Sequence, residues 1–418
     1  MKFNSPSIKE RKSEYFLGLD IGSEAVKSII FQRAVSEKDN LKKIIIWGKG
    51  LEYFNKSDVF NTQDFEKNTI KNTISESIKG AYQNFLQNVG RKTGIQKNNL
   101  PTLVSLPPNI IKEKVLIQSL TRENRDRIIS KKEEADIYQL VLKEIKNEIE
   151  KDFSQKFGIF PEDIKFISFT ISEIKIDGYN VSNFEGFKGG KLEFKIVVVF
   201  SLKEYLKNIE IILKELKINF RKFLNKEQNL PYLFEYEVND AIFLDVGGEV
   251  SQIFLLKKGK TEAILEFENG GLDFTNKLSK VLGLNLEDAR NLKHNYSNLI
   301  LSEDVRKKVR EILTDEVRNW FLNFKKALEI ILEKKKILFP SRMFIFGGGS
   351  SLPEIQEVVE EGNWEGLTFI SKPEVKIINP KDLKNVDDRT KGLISNQDVG
   401  LILACLNPYK ENYFIFEK

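Results

Sequence analysis

The chain of 418 residues contains one cysteine, Cys405, and one histidine, His294. A single thiol excludes an internal disulfide and any site built from several cysteines, and it fits a reducing compartment. A single imidazole excludes a histidine cluster. His294 follows a Leu-Lys pair at the end of a predicted helix and reads as a polar helix terminus, with a lone base as the alternative. Long apolar runs are also missing: no window approaches the roughly 18 consecutive apolar residues of a membrane-spanning helix. The first 14 residues are polar and charged where a secretory leader needs an apolar segment. The expectation is a soluble protein whose contact with a membrane, if any, is made through a partner. Nor is there an excess of one charge. Lys and Arg number 66 against 61 Asp and Glu, a net +5 spread along the chain, so nucleic acid is not the implied partner.

What is present is an ordinary globular balance, 41% hydrophobic and 30% charged, in a chain too long for one compact core. Two large lobes are expected. Residues 241–253, AIFLDVGGEVSQI, hold an apolar run ending on Asp245, after which Gly247 and Gly248 turn the chain into a second predicted strand over 251–256. Two glycines let backbone N–H groups face a phosphate closely, and the aspartate suits a hydrated metal ion; an ordinary glycine hairpin is the plainer alternative. The same order occurs near the N-terminus. Residues 15–19 lead to Asp20, Ile21 and Gly22, and strands are predicted at 25–31 and 43–47, matching those at 251–256 and 261–267. Two copies of strand, Asp-x-Gly, strand, strand predict a duplicated domain with facing hairpins and a nucleotide between them.

Along the chain, 61–87 places Phe65, Ile70, Ile74, Ile78, Ala81 and Phe85 at helical spacing, and 103–106 reads as a buried strand stopped by Pro107 and Pro108. From 109 to 200 the pattern departs from the repeat, as an insertion does. It predicts a helix over 131–153, strands at 165–171 and 173–176, a turn at Asp177-Gly178, a hairpin loop at 186–190 and a long strand at 191–200. A helix over 203–216 and a loop lead into the second copy, whose strands are followed by helices at 273–282, 286–293 and 305–335. The strand 343–346 then enters Gly347-Gly348-Gly349-Ser350. Three glycines between a strand and a short helix cost chain entropy, and the close approach of a base or sugar accounts for them.

Taken together, LDIGSEAVK, LDVGGEVSQI and FGGGSSLPEI resemble the two phosphate motifs and the adenosine motif of the actin-like ATPase superfamily, in that superfamily's order. Within it, 268–275 with 288–293, and the insertion at 177–193, are similar to the division protein FtsA and its pilus relative PilM. The resemblance implies an α/β, actin-like duplicated two-lobe fold with a small inserted α/β subdomain. It divides the chain into a flexible tail (1–14), a first lobe (15–108 and 201–238), the insertion (109–200), and a second lobe (239–418) with a helical part at about 270–338. It also implies ATP and Mg²⁺ as cofactors. Asp20 and Asp245 would hold the metal through water; Gly22, Ser23, Gly247, Gly248 and Ser251 would cradle the phosphates, with Lys27 adding charge; Gly347, Gly348, Gly349, Ser350 and Lys293 would border the adenosine.

Glu249 and Arg290 depart from the family pattern, and a carboxylate near phosphate is unfavourable unless it points away or meets the metal. Slow ATP turnover, at most, is therefore expected. The segment 412–418 is too short for the amphipathic membrane helix that ends FtsA. The readings left open are an FtsA-like cytoplasmic scaffold at the inner face of the cell membrane, self-associating and bound to a tubulin-like division filament; a PilM-like platform for a pilus inner-membrane protein; and a sugar-kinase-like enzyme of the same superfold.

Overall fold

The structure, a computed structural model, describes residues 15–35, 42–57, 59–60, 65–90, 94–234 and 238–406. The expected tail at 1–14 and the segment 412–418 lie outside them.

Three antiparallel strands open the fold, β1 (Tyr15–Ile21), β2 (Ala25–Val35) and β3 (Lys42–Tyr53). Helix α1 (Lys67–Val89) follows and buries Ile70, Ile74, Ile78, Ala81 and Phe85, the stripe read from the sequence. Strand β4 (Thr102–Ser105) then pairs parallel to β1. The insertion comes next: β5 (Ile111–Thr121), α2 (Lys131–Phe157), β6 (Ile164–Ile176), β7 (Tyr179–Val181) and β8 (Lys191–Leu202). They form a separate sheet in the order β5-β8-β6-β7, with the apolar stripe of α2 packed on it. Two expected strands here are one, because the irregularity between Ile171 and Glu173 is a bulge in β6 and not a break. Strand β5 was not expected.

After α3 (Lys203–Glu215), the segment expected to be a loop supplies β9 (Phe220–Phe223) and a short 3₁₀ helix, Glu227–Tyr232. The second copy follows: β10 (Ala241–Val246), β11 (Val250–Lys257), β12 (Lys260–Glu268), helices α4 (Gly271–Leu282), α5 (Leu286–Ser297) and α6 (Glu303–Lys335), β13 (Arg342–Phe346), α7 (Pro353–Glu361) and β14 (Glu374–Ile377). Its sheet order, β12-β11-β10-β13-β14, repeats the order β3-β2-β1-β4-β9 of the first sheet, parallel and antiparallel pairs included. The duplication is thus one of topology as well as of motif.

The chain after β14 departs from the expected division. Strand β15 (Val386–Asp388) joins the first sheet beside β3, and helix α8 (Val399–Leu406) lies in the central core between the two large sheets. The physical reason is composition. VGLILACL has no polar face, so it is stable only where it is covered on all sides, and its residues 401–405 are all buried. No helix among the described residues is long and apolar enough to cross a membrane.

Candidate functional site

Where the two hairpins face each other, a cavity of about 240 Å³ opens between the lobes. Of the residues singled out from the sequence, Asp20, Gly22, Ser23, Lys27, Asp245, Gly247, Gly248, Lys293 and Gly348 line it. Asp20 and Asp245 sit at equivalent positions near the ends of β1 and β10, opposite Ser105 of β4 and Phe346 of β13 in the parallel ladders. Strand register explains Lys27: it lies directly across from Asp20 in the β1–β2 pair, and its ammonium donates to Asp20 Oδ2 at 3.1 Å. In the second copy the residue across from Asp245 is Gln252. Asp245 instead receives a hydrogen bond from Lys226, just before the 3₁₀ helix of 227–232. Lys226 was not found in the sequence, because nothing in a predicted loop ties its side chain to Asp245 in the strand that follows.

Ser251, Gly347, Gly349 and Ser350 do not line the cavity. Side chains alternate along β11, and Val250 takes the cavity side, so Ser251 turns to the helical side of the sheet. There its hydroxyl is fully buried, donating to the Asn269 carbonyl (2.7 Å) and accepting from Trp320 Nε1 (3.1 Å). Gly349 packs on Gly271, and Ser350 donates to the Gly347 carbonyl at 2.8 Å. Gly347 has φ +97°, and a Cβ there would collide with Asp245 Oδ1. The glycine turn therefore shapes the wall behind Asp245, and only Gly348 and Ser351 of it reach the cavity. Asn298, Asn396 and Gln397 complete that polar end.

The two departures from the family pattern have structural roles. The Glu249 side chain points away from the cavity and accepts from Asn109 Nδ2 at 3.2 Å, while its backbone N–H donates to Ser23 Oγ at 3.0 Å. Arg290 Nε donates to Glu24 Oε1 at 3.0 Å, and its guanidinium lies 4.4 Å from the centre of the Tyr53 ring. Burial alone would raise the Glu24 carboxyl, but the charges of Lys293 and Arg290 hold it below the usual carboxylate range. Lys293 donates to the Gly271 carbonyl and to Thr275 Oγ1, both at 2.6 Å, and burial pulls its ammonium down. His294 lies in the last turn of α5, as expected, yet it borders the cavity and meets Tyr53 OH at 3.3 Å; burial lowers its pKa.

The family model described as "Cell division protein FtsA" matches residues 242–396, from β10 to the segment before α8. Over the whole fold, the chain is similar to a PilM-PilN type IV pilus biogenesis complex, with a TM-score of 0.57 and 15% identity, covering 94% of this chain and 99% of that one. The chain has the two-lobe fold of the actin-like ATPases, and its second copy matches the FtsA model. The chain is also similar to ethanolamine utilization protein EutJ from Carboxydothermus hydrogenoformans (TM-score 0.45, 10% identity, 94% and 89% covered). A third similar structure is MreB 5 of Spiroplasma citri bound to AMPPNP (TM-score 0.43, 9% identity, 94% and 95% covered). A comparison with curated proteins finds no match.

Proposed function

We propose that this chain is a nucleotide-binding scaffold of the FtsA/PilM type, which holds ATP between its lobes and engages a partner at the cytoplasmic face of a membrane. The observation that carries the reading is the convergence of two Asp-x-Gly hairpins from topologically equivalent strands on one cavity, with the lysines Lys27, Lys226 and Lys293 in its wall. Three ammonium groups and exposed hairpin backbone suit an anionic chain of phosphates, and Asn298, Ser351, Asn396 and Gln397 offer hydrogen bonds to a sugar or base. Calorimetric titration with ATP and ADP tests it, and no heat of binding with either nucleotide, with or without Mg²⁺, refutes it.

The insertion is the proposed contact for the partner or for self-association. It exposes Ile117, Phe157, Phe160, Tyr179 and Phe187, while the cavity is enclosed mainly by the duplicated part of the chain. A role in division is supported by the family match over 242–396, and a pilus role by the likeness of fold. Pull-down against a tubulin-like division protein and against a cytoplasmic peptide of a pilus inner-membrane protein separates the two. Binding to neither leaves the scaffold reading without a partner and refutes both roles.

A further inference from the structure

The proposal here rests on the nucleotide reading and concerns what stands beside Asp245. A divalent cation shared through water by Asp20 and Asp245 requires the negative charge of both carboxylates. Each is already matched by an ammonium, Asp20 by Lys27 and Asp245 by Lys226. The second pair is well enclosed, with side chains 16% and 13% exposed. Behind it lies Gly400 of α8, where a Cβ would stand 3.4 Å from Asp245 Oδ2 and 3.9 Å from Lys226 Cδ. Lys226 is thus held between the central helix and the hairpin, with its amine at the cavity wall.

A hydrated dication placed against Asp245 would lie beside a cation already paired with that carboxylate, whereas a phosphate would meet that cation favourably. The residues at Asp245 therefore do not fit Mg²⁺. We infer that this site binds the phosphates of a nucleotide without a divalent metal, the ammonium of Lys226 standing beside Asp245 where a metal ion would otherwise stand. Lys226 is then a phosphate-binding residue, and Asp245 positions it.

The test uses the full chain and calorimetry with ATP, once in Mg²⁺ and once in EDTA. The expected result is a Kd that agrees within about threefold between the two buffers. Weakening of roughly tenfold or more in EDTA overturns the proposal and leaves the nucleotide reading intact. Absence of binding in both buffers overturns the nucleotide reading and this proposal with it. In a second arm, Lys226→Met should weaken ATP binding in EDTA by about tenfold or more and make it tighten again when Mg²⁺ is added. Unchanged affinity of a folded Lys226→Met protein in EDTA overturns the proposal. Mn²⁺ alone, followed by electron paramagnetic resonance, supplies a readout that needs no nucleotide. The unaltered protein should leave the aquo-ion spectrum intact and Lys226→Met should bind a fraction of the metal, whereas Mn²⁺ bound by the unaltered protein and released by Asp245→Asn overturns the proposal.

Discussion

At Gly248 the second hairpin abuts Ser23 and Glu24 of the first, and Gly248→Ala is a minimal change that should force them apart. A Cβ built there would stand 2.7 Å from Glu24 Cβ, 2.9 Å from Ser23 Oγ and 3.0 Å from Glu24 N. Carbon atoms in contact prefer about 3.5–4.0 Å, so a displacement on the order of 1 Å is required. Two of the three atoms belong to backbone or to a Cβ and cannot rotate out of the way. Gly248 itself has no left-handed φ, so alanine is compatible with its backbone and the penalty arises across the cleft. Overpacking of this kind costs roughly 1–3 kcal/mol. If the lobes relieve it by opening, the closed form loses population by a factor of roughly 5 to 150, and nucleotide affinity falls by a similar factor wherever closure is needed for binding. The Glu249 N–H to Ser23 Oγ bond should be lost with it. Small-angle scattering reads the opening directly and calorimetry reads the affinity; Lys151→Ala, exposed on α2, is the control. An unchanged scattering profile together with ATP affinity within about twofold of the parent would mean that the abutment of Gly248 on the first hairpin does not set the cleft.

Other expected outcomes follow from single contacts. Arg290→Met leaves Glu24 without its hydrogen-bonded cation in the cleft and should cost roughly 3 kcal/mol in chemical denaturation; a double-mutant cycle with Glu24→Gln that shows no coupling refutes the pairing. Ser251→Ala removes a buried acceptor for Trp320 Nε1, so stability should fall by roughly 1–2 kcal/mol while ATP affinity holds, and a large loss of affinity without loss of stability refutes the assignment. The Glu227 carboxyl is 4% exposed and receives one hydrogen bond, from Thr261 Oγ1, and burial pushes it up to about 7. Its folded-state pKa lies above the unfolded value, so its contribution is complete below pH about 4.5 and is lost as pH rises through about 7, a total of roughly 3 kcal/mol. Glu227→Gln should flatten that part of the stability profile, and a slope unchanged in urea melts from pH 5 to 8 refutes it.

Much of the site was legible because its parts are local. An apolar run, an aspartate, a glycine and a second run specify a hairpin without help from distant residues, and two such units specify a duplicated fold. Lys27 belongs to the same unit. What the sequence hid is non-local or uniform. Lys226 reaches Asp245 from the position just before a 3₁₀ helix, in a segment without a periodic pattern, and β9, β14 and β15 are strands of 4, 4 and 3 residues whose pairing, not their composition, makes them strands. Helix α8 is apolar at every turn and so shows no period to read. Ser251 was misplaced for the opposite reason. Its hydroxyl suggested phosphate, but the two-residue alternation that starts at Val250 sends it to the far face of the sheet.

The return of β15 and α8 to the first lobe also bears on how the protein acquires its shape. Val386 pairs with Ile44, so the first sheet gains its edge strand β15 from the far part of the chain. The layer between the two large sheets is not filled until 399–406 arrive. On a ribosome, the opening strands must therefore wait, with one face uncovered, until nearly all of the chain described here has been made. Contacts of such long sequence separation are formed slowly, because the loop must be closed before the contact stabilises anything. Truncation before α8 should accordingly give a chain whose two halves each retain strands and helices but expose apolar surface to each other and to chaperones, and refolding of the intact protein should be limited by the docking of its last described helix.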